Sequence, residues 1–223
     1  RFADAAFVYI TNASQWATDS LTVSNCAIAF ANDAFRVVVT HDVVVAEGGT
    51  FGVGHDEAGS NYVLEVGGNL LVTNGGTLAV YGGVTNGATN AWGACVVVTG
   101  DVCVAPGSWV CPAAHRWNGG RPLFRMSNLY VNAGGGFNAN NRGFAPRTGP
   151  GKGVDVSTGG GGGGHGGKGG RGTAATAYGG PAYGTTNGPV TPGSGAGTYP
   201  RSDYYLRGGG GGAIRIEAAN VVR

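Results

Sequence analysis

Four stretches decide the reading: Asp42–Val53, DVVVAEGGTFGV; Asn69–Val80, NLLVTNGGTLAV; Asp101–Pro112, DVCVAPGSWVCP; and Asn128–Ala139, NLYVNAGGGFNA. Their first residues are spaced by 27, 32 and 27 positions. With the Asn or Asp at position zero, +1 is Val43, Leu70, Val102 and Leu129, and +3 is Val45, Val72, Val104 and Val131. Position +6 is Gly48, Gly75, Gly107 and Gly134, and +9 is Phe51, Leu78, Val110 and Phe137. Upstream, −5 holds Val37, Leu64, Val96 and Leu123, while −3 holds Val39, Val66, Val98 and then Arg125.

Apolar residues two apart line one face of a strand, so each pair marks a short strand with an inward face. The Asx and the Gly fall between such strands. Asx side chains bond nearby backbone, and glycine adopts positive φ without steric cost, so both belong at corners. Three short strands and two fixed corners per turn describe an all-β, right-handed parallel β-helix, a β-solenoid. The third corner, after +11, carries the length variation. An antiparallel sandwich is the competing fold; it explains the alternation but not the fixed residue type at each corner.

The organisation that follows is an irregular N-terminal coil or cap over residues 1–34, solenoid coils over 35–139, a glycine-rich insertion over 140–212, and the start of a further coil over 213–223. In the last piece Asn220 is expected at the corner. The segment from Leu21 to Ile28 is a weaker copy without the corner glycine. About 30 of the 47 glycines lie between Gly134 and Gly212. Pro181, Pro189, Pro192 and Pro200 fit an extended, polyproline-II-like insertion of strands packed side by side, which glycine permits by lacking a Cβ. Position +2 points outward yet holds Val44, Leu71, Cys103, Tyr130 and Val222, an apolar stripe that either the glycine flap or another subunit must cover.

Composition narrows the function. Charged residues are 12%, about half the usual quarter, and the surface is left to Asn, Thr, Ser and backbone. A net charge of +2, with no basic run among aromatics, argues against a nucleic-acid partner. No apolar stretch approaches the roughly 20 residues of a membrane span. Lacking an initiating Met and a signal peptide, the sequence reads as a mature product or a piece of something longer.

Candidate sites are few. His165, Lys168 and Arg171 recur every three residues and would line one edge of an extended helix, either as a contact for an anionic glycan or a neighbour's carboxylates or as solvated charges. Trp92, His115, Arg116 and Trp117 belong to variable-corner loops and should gather on one edge, to bind sugar or to pack beneath the flap. His41, Asp42, His55, Asp56 and Glu57 are the only dense acid and histidine group, and no nucleophile–base spacing accompanies them. The Asx corners suggest a hydrogen-bonded ladder rather than calcium sites, since the nonapeptide calcium pattern is absent. No metal or cofactor is expected, and no enzyme. Cys95 and Cys111 flank the variable corner of one coil, close enough in the circuit for a disulfide, which would suit an extracellular location.

The repeat N-[LV]-x-V-x-x-G-G, followed by GGGFNANNRGF, a glycine tract and GGGGGAIRIEA, resembles very large secreted proteins of the Verrucomicrobia–Kiritimatiella–Planctomycetes kind. That resemblance implies a repetitive β-helix surface protein with glycine-rich inserts and carries no catalytic residue over. The glycine tract is also similar to that of phage tail-tip adhesins, which lack this coil repeat. The expected function is a non-catalytic extracellular or cell-surface structural protein that stacks head-to-tail with copies of itself. Its ends would be Phe7, Val8, Tyr9 and Ile10 on one side and Val221 and Val222 on the other. A glycan-binding adhesin is the alternative, and a β-helix polysaccharide lyase or hydrolase comes third.

Overall fold

The structure is a computed structural model. It describes residues 1–223 except 5–7, 11–13, 31, 57–58, 85–91, 158, 186–189 and 199–207, and gives residues 8–10 by backbone only. Phe7, Glu57, Pro189 and Pro200 therefore lie outside the described residues, as do the side chains of Val8, Tyr9 and Ile10.

The described chain is all-β, with every strand pair parallel. The strands are β1 (Phe2–Ala3), β2 (Val8–Ile10), β3 (Gln15–Thr18), β4 (Leu21–Ser24), β5 (Ala27–Phe30), β6 (Arg36–Val39), β7 (Val43–Ala46), β8 (Thr50–Val53) and β9 (Tyr62–Val66). They continue with β10 (Leu70–Val72), β11 (Thr77–Tyr81), β12 (Ala94–Val98), β13 (Asp101–Val104), β14 (Trp109–Ala113), β15 (Pro122–Val131), β16 (Gly136–Phe137) and β17 (Arg215–Val222). Successive strands do not pair; from β4 to β14 each pairs with the third before it, while β15 pairs both β12 and β13, β16 pairs β14 and β17 pairs β15. One ladder runs β2-β5-β8-β11-β14-β16. A second runs β3-β6-β9-β12-β15 and a third β1-β4-β7-β10-β13-β15, and the two join because β15 spans both faces. β17 pairs with β15 from Leu123 to Leu129, across a register shift between Met126 and Asn128, and spans the same two faces. This is the stacked parallel arrangement expected of a β-solenoid.

The core forms because the inward residue of each strand lies on the inward residue of the next. Val43, Leu70 and Val102 are in register, as are Phe51, Leu78 and Val110, and all six are at most 1% exposed. Burying each such side chain is worth roughly 1.5–3 kcal/mol.

The Asx corners form the expected ladder, with the side chain reaching backbone. Asp42 Oδ1 accepts the Asn69 N–H at 2.7 Å, and Asn69 Oδ1 accepts the Asp101 N–H at 2.9 Å. Asn128 Nδ2 donates to Asp101 Oδ1 at 2.6 Å, and Asn128 Oδ1 accepts the Val221 N–H at 3.2 Å. The glycine corners are β-turns closed by Gly49 N–H to Ala46 O, Gly76 to Thr73, Ser108 to Ala105 and Gly135 to Asn132, at 2.8–3.1 Å. Gly48, Gly75, Gly107 and Gly134 take the third turn position at φ +69, +77, +72 and +87°. Glu47 and Asn74 also have positive φ, the signs of a type I′ turn, whereas Pro106 and Ala133 do not, so the later turns have the signs of type II.

Two expectations about register are corrected. In β15 the inward pair is Phe124 and Met126, which align with Val96 and continue the row of Val98; Arg125 opposes Val97 and points out. Leu123 opposes Cys95 and is buried, but outside the main core cluster. The reason is a shortened corner. Two residues separate Val66 from Asn69 and Val98 from Asp101, but Ser127 alone separates Met126 from Asn128. In β17 the corner has two residues again, Ala219 and Asn220, so Val221 rather than Asn220 lies opposite Asn128. Val222 is then opposite Leu129, in the inward row and not in the outward stripe; it is 65% exposed.

Beyond β16 the described glycine-rich segment has no strand, yet its backbone is extensively hydrogen-bonded. Gly161 N–H donates to Val154 O at 3.0 Å, Gly162 to Gly170 O at 2.8 Å, and Gly164 to Gly151 O at 2.7 Å. Carbonyls of the same tract accept from Gly197 and Gly180 at 2.8 and 2.9 Å. Its neighbours repeat every third residue. A Cβ on Gly160 or Gly163 would strike Gly197 or Ser194 at 2.0 and 2.2 Å; one on Gly161 or Gly164 would strike Tyr178 O or Pro181 O at 2.0 and 2.3 Å. Glycine is required there by close backbone approach.

Candidate functional site

The glycine-rich segment docks on the third corner, where β8, β11 and β14 end. Ala114 N–H donates to Arg142 O at 2.8 Å and Ala145 N–H to Arg116 O at 2.9 Å, clamping the two layers together. A cleft of about 200 Å³ lies at this seam, between Tyr81, Ala113 and Arg116 on the strand side and Arg142, Phe144 and Gly209 on the other. The outward stripe is thus not what this segment covers: Val44, Leu71, Cys103 and Tyr130 stay half-exposed.

The cleft brings Arg116, Arg142 and Asp56 together. Arg116 Nη1 lies 3.8 Å from Asp56 Oδ2, a long ion pair. Arg142 faces the Tyr81 hydroxyl and the Cys111 thiol. Burial pushes the Tyr81 hydroxyl above its ordinary pKa, and Asp56 adds to the shift, while Arg142 opposes it. Burial likewise raises the Cys111 thiol against the pull of Arg142. Both groups that Arg142 faces are therefore neutral at neutral pH. A groove of about 240 Å³ continues from Asp56 and Tyr81 along the outer face of the third-corner ladder, floored by Ala29, Gly52 and Ala79.

The expected loop residues share this edge but have separate environments. His115 is 5% exposed, and its Nδ1 accepts the N–H groups of Trp117 and Asn118 at 3.2 and 3.1 Å, so it shapes a turn. Trp117 is 51% exposed. Trp92 meets two guanidiniums, with Arg121 4.9 Å and Arg215 4.4 Å from its ring. Burial, followed by the charge of Arg215, lowers the pKa of Arg121.

The basic edge is corrected in part. His165 turns into the glycine segment, its Nε2 2.9 Å from Thr191 O and its ring 4.9 Å from Tyr183. Lys168 and Arg171 are exposed, and Arg171 lies 5.1 Å from the Tyr178 ring. The Cys95–Cys111 bridge is not formed; all four cysteines are free. The two thiols leave different ladders, Cys95 toward Arg125 and Glu217, Cys111 toward Arg142. The acid and histidine group separates too. His41 and Asp42 lie at the Asx corner, while His55 sits 3.7 Å from Asp33 and Asp56 faces Arg116. No three His, Cys, Asp or Glu among the described residues are grouped to hold a metal ion.

Sequence reasoning missed Tyr81 and Arg142. Tyr81 follows directly on the repeat, and Arg142 sits in NNRGF, but nothing local says that they meet. Comparison with protein-family models, curated proteins and solved structures gives no match.

Proposed function

We propose that this chain is a non-catalytic structural unit of an extracellular filament or surface stalk, built as a right-handed solenoid and stacked head-to-tail on further copies. The observation that carries the reading is the directional corner ladder. From Asp42 to Val221, side chains at one corner are spent on the next turn of the chain, so bonding propagates along one axis. Right-handed winding is the hand of about 98% of parallel crossovers. The three-residue neighbour period around Gly160–Gly164 supports a polyglycine-II-like packing for the insertion, a rigid layer beside the stack.

Among the described residues, the outer edge of β17 and those of β1, β2 and β3 have no ladder partner. A parallel edge takes a further strand, whether from a continuation of the same chain or from a copy. A contact joining two different edges does not close on itself and yields a fibre. The low share of charge favours a surface buried against neighbours; free cysteines lend no weight to an oxidising compartment. Negative-stain microscopy and sedimentation across a concentration series test the reading. Rods that lengthen with concentration, and shorten when Val222→Lys is introduced, are expected. A monomer at every concentration sinks it.

A further inference from the structure

Arg142 is a half-buried guanidinium that faces a polar cleft, and among the described residues its side chain is set against a phenol and a thiol. None of the ion pairs among the described residues involves it. A buried or half-buried charge normally has a counter-charge, because neutral hydrogen bonds offset only part of its lost hydration. Arg116, across the same cleft, has its carboxylate at 3.8 Å, too far for the short bidentate contact that a guanidinium prefers. Among the described residues the cleft is lined by two guanidiniums, Arg116 and Arg142, and one carboxylate, Asp56.

We propose that this cleft binds a carboxylate-bearing sugar of monosaccharide size. The carboxylate supplies a counter-charge to Arg142 and Arg116. The cleft, about 200 Å³, has far more room than a bare anion needs. It is smaller than the roughly 300–1,000 Å³ of pockets that enclose drug-sized ligands. Its remaining lining suits a pyranose. Asn141, Asp56 and the Tyr81 hydroxyl can pair with sugar hydroxyls, while Phe144, Ala113 and Pro146 offer carbon to the C–H face. The adjoining groove over Ala29, Gly52 and Ala79 gives further residues of an acidic glycan a path along the ladder. Because the cleft has one wall from the strands and one from the glycine-rich segment, ligand binding also holds the two layers together. The site does not depend on head-to-tail stacking.

The test is a titration of the isotopically labelled full chain with sodium glucuronate, followed by the amide signals of Gly143, Phe144 and Gly209. Saturable shifts are expected, weakened at least tenfold in Arg142→Gln and largely retained in Arg142→Lys. Methyl glucoside, which lacks the carboxylate, should leave the signals in place. Acetate and sulfate should bind at least tenfold more weakly than glucuronate. If acetate matches glucuronate, the sugar part of the assignment is overturned. If glucuronate gives no saturable shift up to tens of millimolar, or if Arg142→Gln binds it as well as the parent does, the site itself is overturned. Should Arg142→Gln lose the dispersed spectrum of the folded chain, Tyr81→Phe replaces it. That variant keeps the packing, removes one hydroxyl partner and is expected to weaken binding severalfold; glucuronate binding unchanged in Tyr81→Phe again overturns the proposal.

Discussion

Gly76→Ala separates two reasons for glycine at a corner. Gly75 has φ +77°, and a Cβ there would find no neighbour nearer than 3.7 Å. Alanine at Gly75 therefore incurs only the left-handed backbone penalty, about 1–2 kcal/mol. Gly76 has no such φ, but its Cβ would lie 2.2 Å from Val45 O, 2.7 Å from Val45 C and 3.0 Å from Thr73 O. Carbon–oxygen contacts settle near 3.3–3.6 Å, so the two turns of chain would have to separate by roughly 1 Å. Val45 O accepts the Thr73 N–H at 2.9 Å, and that bond is the first to go. Overpacking of about 1–3 kcal/mol plus one lost hydrogen bond of about 1 kcal/mol gives roughly 2–4 kcal/mol. Urea unfolding of both variants measures the order, through shifts of the midpoint at constant slope. If Gly75→Ala costs as much as Gly76→Ala or more, close approach between turns is not what fixes this corner.

Asn69→Ala should destabilise by about 1–2 kcal/mol, because the part-buried Asp101 N–H loses its acceptor; equal midpoints for parent and variant would remove the ladder's role. Alkaline pH should loosen the seam. Tyr81 and Cys111 have folded pKa values raised above their ordinary 10.0 and 9.0. Raised acids contribute stability that is fully present below those ordinary values and is lost as pH rises through the folded ones. The melting temperature should thus fall from about pH 9 upward, and less steeply in a Tyr81→Phe, Cys111→Ala variant; identical slopes would refute the assignment.

The corners were legible in the sequence because their requirements are local. A positive φ selects Gly at Gly48, Gly75, Gly107 and Gly134 whatever lies around it, and an Asx that reaches the next backbone N–H must recur once per turn. Inward rows were legible for the same reason wherever the corner length was constant. They failed at β15, because one residue fewer at Ser127 reverses which side chains face in, and no property of Leu123 or Arg125 alone records that loss. Asn220 was misplaced for the matching reason. The seam was not legible at all. Tyr81 and Arg142 are far apart in the chain, and only docking of the glycine-rich segment on Ala114 and Arg116 brings them to one cleft. Local backbone chemistry thus determined the turns and strands, while long-range docking, which depends on shape and not on period, decided where charge is gathered and which thiols stay apart.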